Sequence, residues 1–289
     1  MKDHLNYYKK INRVVTVDIK DTNKKLLNEQ RFNFYFQNKI TPVDLKDKSV
    51  IEFCAGSGYN AYYLLTKSFI KDIHLIEKNP SSLKSLKKNL ATFRNVKINS
   101  IDIFKYNPKK KYDFVICENA IDGFRDASLV FKKILNSTKK GGQILLTFGD
   151  DFGIFSTKLR YLYALMLLEQ NNMKDFDSKI KFLSSVFKKH LLYLSKDSRK
   201  IEKWVLDNIL NYEWITKVNY FGYNDIINYT GNDFLIKSFI PQFQKNYWYK
   251  QINKNQINKD ILKLHENNKI NLLNFEKSFE KKNKFEKFN

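Results

Sequence analysis

The chain has 289 residues, 43% of them hydrophobic and 15% aromatic, which fits a globular fold and excludes disorder throughout. No apolar run approaches about 18 residues and the N-terminus lacks a signal-peptide core, so a membrane span is excluded and the default compartment is the cytoplasm. Two cysteines, Cys54 and Cys117, give neither a disulfide framework nor a CxxC metal pair.

The formal charge of +22 invites a nucleic-acid partner, but the excess is lysine. Only six of the 52 basic residues are arginine, the residue nucleic-acid sites favour for forked contacts. The excess is also spread evenly, +13 over residues 1–150 and +9 over 151–289. The reading favoured is a solvated lysine surface with a Lys/Asn/Ile-rich compositional drift; an anionic partner is the lesser one.

In chain order, residues 1–44 form an N-terminal cover with one β-like run, Arg13–Asp18, and a dense aromatic stretch, Arg31–Gln37, read as helical. Packing against the core is the favoured role of that stretch. Ser49-Val-Ile-Glu-Phe-Cys-Ala-Gly-Ser-Gly-Tyr-Asn60 then runs from an apolar strand into a small-residue turn and a helix over 59–67. Glycines at 56 and 58 permit a tight turn and close approach of a ligand to the backbone. Strands follow at 71–77, 96–102, 112–118 and 143–148. Helices open at Asn79-Pro80 and over 126–136, and Lys139-Lys140-Gly141-Gly142 reads as a helix stop and turn. Alternation at this spacing predicts an α/β fold with a doubly wound, mostly parallel sheet over 45–150. Residues 151–252 read as a helical C-terminal elaboration: helices over 156–171 and 176–194, a third through Trp204, a short one near 225–229, and a returning strand at 233–240. The polar tail, 253–289, reads as a weak amphipathic helix.

Ligands of open parallel sheets sit beyond the carboxyl ends of the strands. Those ends carry Gly56, Ser57, Gly58 and Asn60; Glu77, 19 positions beyond Gly58; Asp102 and Ile103; Glu118 and Asn119; and Asp150 and Asp151. An acid at the Glu77 spacing is where nucleotide folds hold a ribose diol. No GxxxxGK[ST] is present, which excludes a P-loop nucleotidase.

Glu52-x-x-x-Gly56-x-Gly58, Glu77, Asp102, Tyr112-Asp113-Phe-Val-Ile and Lys140-Gly-Gly-Gln-Ile-Leu, in this order and spacing, resemble the class I S-adenosylmethionine-dependent methyltransferases over about residues 45–150, roughly a third of the chain. The form Glu-Phe-Cys-Ala-Gly-Ser-Gly-Tyr-Asn is similar to a variant found in small-molecule methyltransferases often encoded among bacterial surface-glycan genes; Cys54 stands where glycine is usual and Asn60 at the third glycine position. The resemblance implies a Rossmann-like methyltransferase fold with S-adenosylmethionine as cofactor. It further implies that Cys54, Ala55, Gly56, Ser57, Gly58 and Asn60 line its methionine part, and that Glu52 positions the amino group or orders the loop. Glu77 and Lys78 would sit at the ribose, Asp102 at the adenine amine with Ile103 against the ring, and Glu118 and Asn119 near the sulfonium. Asn60 reads equally as a helix cap, and Glu52 and Asp113 as loop acids.

No catalytic base stands out. His74 lies inside a strand, pointing away from the rim, and reads as core; His190 reads as surface; Asp122, Asp150 and Asp151 are better placed but sit in ordinary turns. The absence of an Asn/Asp-Pro-Pro-Tyr/Phe run after strand four, where Glu118-Asn-Ala-Ile stands, argues against amino-methylating nucleic-acid enzymes. Aromatics at Tyr161, Tyr163, Trp204, Trp214 and Tyr223 could form a lid, and Trp248 could stack on a sugar, against the plainer reading of core packing. The expected partner is a small molecule of the sugar or surface-glycan precursor class. An RNA methyltransferase, or a nucleotide-fold binding protein without catalysis, are the alternatives; an NAD dehydrogenase fits less well.

Overall fold

A computed structural model describes residues 5–239 and 259–263, apart from 14, 16–18, 20–23, 150, 195–199, 212–214, 216–220, 232, and the side chains of 151–153 and 192–194. Most of the β-like run at 13–18, together with Trp214, Trp248 and most of the tail from 253, therefore lies outside the described residues.

The sheet has five strands, β1 (Ser49–Phe53), β2 (Asp72–Glu77), β3 (Val96–Ser100), β4 (Tyr112–Cys117) and β5 (Thr138–Leu146). Their order is β3-β2-β1-β4-β5, and every pairing is parallel. β1 is buried along its whole length, as a central parallel strand covered on both faces must be.

Alternation along the strands builds two cores. Val50, Ile73, Leu75, Phe114 and Ile116 face α2 (Lys24–Gln37), α4 (Tyr59–Lys67) and α5 (Pro80–Asn89). Ile51, Phe53, Ile76, Val115 and Cys117 face α6 (Ala127–Asn136) and the helix-free crossover between β3 and β4. This is the doubly wound arrangement. Asn79 caps α5 through Ser81 N at 3.1 Å with Pro80 in its first turn, and Asp126 caps α6 through Leu129 N at 2.8 Å. The Thr41-Pro42 turn is a one-turn helix, α3 (Pro42–Leu45), closed by a Thr41–Asp44 capping box.

Helices α7 (Asp151–Gln170), α8 (Phe176–Leu194) and α9 (Ile201–Asn208) follow the sheet, and Ala164, Leu183, Phe187, Trp204 and Val205 form their own core. The N-terminal helix α1 (Leu5–Ile11) joins this group: Tyr7 donates to the Leu206 carbonyl and Tyr8 to Asp207, each at 2.6 Å. A further helix, α10 (Tyr223–Thr230), follows Phe221, which packs on Phe131 of α6.

Two expectations are corrected. Lys139–Gly142 is part of β5, where it forms a bulge. Tyr112 pairs with Thr138 and Phe114 with Gln143, so four residues stand opposite Asp113. Gly141 takes φ 76°, and the Asp113 carboxylate holds the irregularity by accepting from Lys139 Nζ, Ser49 N and Ser49 Oγ at 2.8–2.9 Å. The returning strand at 233–240 is absent: residues 234–239 are irregular and add no strand to the described sheet. Ser238 Oγ donates to the Asn38 carbonyl at 2.8 Å, which ties the segment to the α2–α3 connection.

Candidate cofactor site

The strand order reverses between β1 and β4, so the carboxyl ends of those two strands border the topological switch point, where open α/β sheets take their ligands. The turn leaving β1 is tightly built. Cys54, Gly56 and Gly58 all have positive φ, at 59°, 56° and 81°. Cys54 N and Ala55 N both donate to the Ile76 carbonyl, at 2.8 and 3.2 Å, which fastens the turn to β2. A left-handed residue with a side chain is strained, which accounts for glycine being the usual choice at the Cys54 position. A Cβ on Gly58 would stand 2.5 Å from Leu86 Cδ1 and 3.2 Å from Leu90 Cδ1. The space on the Cβ side of this glycine is taken by Leu86 and Leu90.

Glu77, at the end of β2, is buried and binds the turn directly. Its carboxylate accepts from Gly56 N at 2.7 Å, Asn79 N at 2.7 Å and Lys78 N at 2.8 Å. Lys78 Nζ pairs with Asp102 Oδ2 at 2.5 Å on the rim, while Asp102 Oδ1 accepts from Phe104 N. Ile103 is buried in the core beneath. Ser57 is buried, and its carbonyl accepts from Asn89 Nδ2 of α5 at 2.9 Å. Asn119 takes φ 51° and is locked by Thr147, which accepts from Asn119 N at 2.6 Å and donates to Asn119 Oδ1 at 3.0 Å.

At the switch point the structure assembles a buried polar network. Glu52 shares the face of Val50, and Glu118 the face of Ile116, so both carboxylates turn toward α2 and α4. Arg31 of α2, only 4% exposed, donates Nη1 to Glu118 Oε1 at 2.8 Å and Nη2 to Glu118 Oε2 at 2.6 Å. Nη2 also reaches Asn60 Oδ1 at 2.8 Å, and the Tyr35 hydroxyl donates to the same oxygen at 2.5 Å. A guanidinium has only donors, so Asn60 must present its carbonyl oxygen to Arg31 and turn its amide nitrogen to Glu52 Oε1, 3.2 Å away. Asn60 is thus a network link as well as a first-turn residue of α4.

Burial works against the Arg31 charge, but Glu118 beside it outweighs that effect and holds the guanidinium charged. Burial first, and then the Glu118 charge, push the Glu52 carboxyl up to about 8, so Glu52 is protonated at neutral pH. Glu52 Oε2 and Arg31 Nε are buried with no hydrogen-bond partner among the described residues. Oε1 accepts from Asn60, so the proton sits on Glu52 Oε2; an amino group can use Oε2 as an acceptor only by displacing that proton, while Arg31 Nε–H is open to a carboxylate.

Arg31 and Tyr35 are the residues that sequence reasoning missed. The available signal was an arginine, one of six in the chain, inside an aromatic run. Of the acids considered as bases, Asp122 is buried and accepts from Gly149 N at 3.1 Å, Asp150 lies outside the described residues, and only the backbone of Asp151 is described. His74 is buried in the sheet, with Nδ1 2.6 Å from the Tyr112 hydroxyl. His190 is half-buried, not superficial, and accepts from Arg160 Nε at 2.8 Å. Trp204 is a core residue of the C-terminal helices. Among the described residues no cluster of three or more His, Cys, Asp or Glu is placed to hold a metal, and no helix is long and apolar enough to cross a membrane.

A family model described as "Methyltransferase domain" matches residues 44–208, more than half of the chain. Malonyl-[acyl-carrier protein] O-methyltransferase 2 of Ilyobacter polytropus is 27% identical over 104 residues, covering 36% of this chain and 40% of that protein. Malonyl-[acyl-carrier protein] O-methyltransferase 1 of the same organism is 26% identical over 106 residues, with the same coverage. The match thus spans about two fifths of the length of these curated relatives. Among solved structures, the glycopeptide N-methyltransferase MtfA is 16% identical over 43% of this chain and 54% of its own, with a TM-score of 0.36. The N-methyltransferase NodS from Bradyrhizobium japonicum WM9, in complex with S-adenosyl-L-homocysteine, is 13% identical over 48% of this chain and 71% of its own, with a TM-score of 0.39.

Proposed function

Because this chain belongs to the methyltransferase domain family, we propose that it is a cytoplasmic enzyme that transfers a methyl group from S-adenosylmethionine to a small molecule, of the sugar or surface-glycan precursor class. The observation that carries the reading is the turn at 54–58. It lies at the switch point of the sheet, and the buried carboxylate of Glu77 binds its Gly56 N–H at 2.7 Å.

In this reading the backbone of Cys54–Gly58, with Asn60, lines the methionine part; Arg31 Nε matches its carboxylate, and Glu52 takes its amino group by giving up its proton as the ligand enters. Glu77 serves the ribose while also ordering the turn, Lys78 flanks it, and Asp102 with Ile103 serves the adenine. Bound S-adenosylmethionine supplies an activated methyl group on a sulfonium, displaced in line by the acceptor nucleophile. The chain's part is alignment and the exclusion of water. Glu118 and Asn119 border the acceptor side; the Glu118 side chain is 18% exposed, so it can touch a bound molecule while held by Arg31. Residues 1–44 act as a cover, and 151–252 supply the substrate side.

A second reading has one observation in its favour. A groove of about 800 Å³ beside the edge strand β3 is lined by Arg94, Lys97, Lys105, Lys109 and Lys110, a cationic setting that suits RNA phosphates.

Calorimetric titration with S-adenosylmethionine, S-adenosylhomocysteine and NAD tests the cofactor assignment. The first two are expected to bind; failure of both, or a preference for NAD, overturns it. Release of S-adenosylhomocysteine with nucleotide sugars but not with RNA supports the small-molecule acceptor, and a salt-sensitive RNA complex with turnover transfers the assignment to RNA.

A further inference from the structure

Arg31 holds both sides of the crevice at once. On one side its fork takes the two oxygens of Glu118, the residue that follows β4; on the other, Nη2 takes the amide oxygen of Asn60 in the first turn of α4. Three rings wall it in: the guanidinium carbon lies 4.5 Å from the centre of Phe34, 5.1 Å from Tyr59 and 5.3 Å from Tyr35. A planar fork fixes the angle of its partners as well as their distance, which a lysine cannot do.

We propose that Arg31 is a positioning residue that couples the docking of α2 to the separation between the cofactor turn and the end of β4, so that ordering either one orders the other. This rests on the reading of the crevice as the cofactor site. Two observations favour coupling over simple stabilisation. First, α2 buries only Leu27, Arg31 and Tyr35, and leaves Leu26, Phe32 and Phe36 exposed. Two of its three fully buried residues therefore belong to the network, with Phe34 half-buried against the core beside them. Second, a buried ion pair is poor glue, because the cost of desolvating its charges roughly offsets their attraction; what it fixes is geometry.

The test uses the full chain and S-adenosylhomocysteine as the probe. In the wild type, binding should slow amide exchange over 24–37 as well as over 54–60. Arg31→Lys keeps the charge and loses the fork. It should raise the dissociation constant about tenfold and abolish the response over 24–37 while leaving the one over 54–60. Glu118→Gln breaks the fork from the other side, and the double variant should bind no more weakly than the worse single one, because the two residues act as a unit. Millimolar guanidinium chloride should restore affinity to Arg31→Ala, a recovery that a general loss of packing does not predict. If the wild type does not bind, the cofactor reading falls and this inference with it. If the wild type binds and the Arg31→Lys and Arg31→Ala variants bind equally well, if exchange over 24–37 ignores the ligand, or if the losses are additive, the coupling alone is overturned.

Discussion

Replacing Glu52 with glutamine should make the protein more stable at mildly alkaline pH. Glu52 carries a proton in the folded state up to about pH 8, whereas its ordinary value is 4.5. Between those two values the folded chain holds a proton that the unfolded chain has released, so this group makes stability fall as pH rises through that window. The difference corresponds to at most about 5 kcal/mol, at 1.36 kcal/mol for each tenfold change in proton affinity. Glutamine keeps the acceptor that Asn60 Nδ2 uses at 3.2 Å and cannot ionise. Glu52→Gln should therefore match the wild type near pH 5 and exceed it by up to a few kcal/mol at pH 8. Burial holds His74 and His190 below the ordinary histidine value, and these groups make stability rise with pH in an overlapping range. Subtracting the wild-type curve from the variant curve removes them. Urea midpoints at both pH values, with m checked for constancy, give the measurement. Parallel wild-type and variant curves between pH 5 and pH 8 would refute the protonated, desolvated Glu52.

Gly58→Ala forces a Cβ to within 2.5 Å of Leu86 Cδ1 at φ 81°, and should cost about 2–4 kcal/mol in urea unfolding; a neutral result would mean that α5 yields freely. Glu77→Gln should lower both the thermal midpoint and the affinity for S-adenosylhomocysteine, because the carboxylate binds three backbone N–H groups as well as any ligand; weaker binding with an unmoved midpoint would give it a ligand role alone. The Asp113 carboxyl is held down at about 2; burial opposes this, and the Ser49 and Lys139 hydrogen bonds outweigh it. Its contribution is present at neutral pH and is lost as pH falls through about 2, so Asp113→Asn should cost about 1 kcal/mol at pH 7, the solvent-screened value, and progressively less as pH falls toward and below about 2.

The βα units of the sheet were legible because burial on two faces leaves a short, mostly apolar run at the inner strands β1, β2 and β4, bounded by turn residues. The turn at 54–58 was legible as a special conformation, but not the reason for Gly58, since Leu86 and Leu90 lie about thirty residues on, in α5 and at its C-terminal cap. Lys139–Gly142 read as punctuation because two lysines and two glycines carry no strand signal; only the ladder with β4 makes them part of β5. Arg31 was hidden for a different reason. Its aromatic neighbours marked the helix for packing, and nothing local says that a buried arginine will meet an acid 87 positions away.

That separation bears on the order in which the chain can assemble itself. β1 pairs with β2 after only a short helical connection, but its other edge waits for β4, about sixty residues later. Distant parallel pairings are slow to form, because the loop must close before any ladder bond repays it. During synthesis the fully buried strand β1 is made early and half-paired for some time, an edge open to association with other chains. The turn at 54–58 can form with β2, yet Glu118 emerges only behind β4. Arg31, already synthesised near the N-terminus, has no acid to grasp until then, so the crevice is among the last parts of the sheet region to take shape.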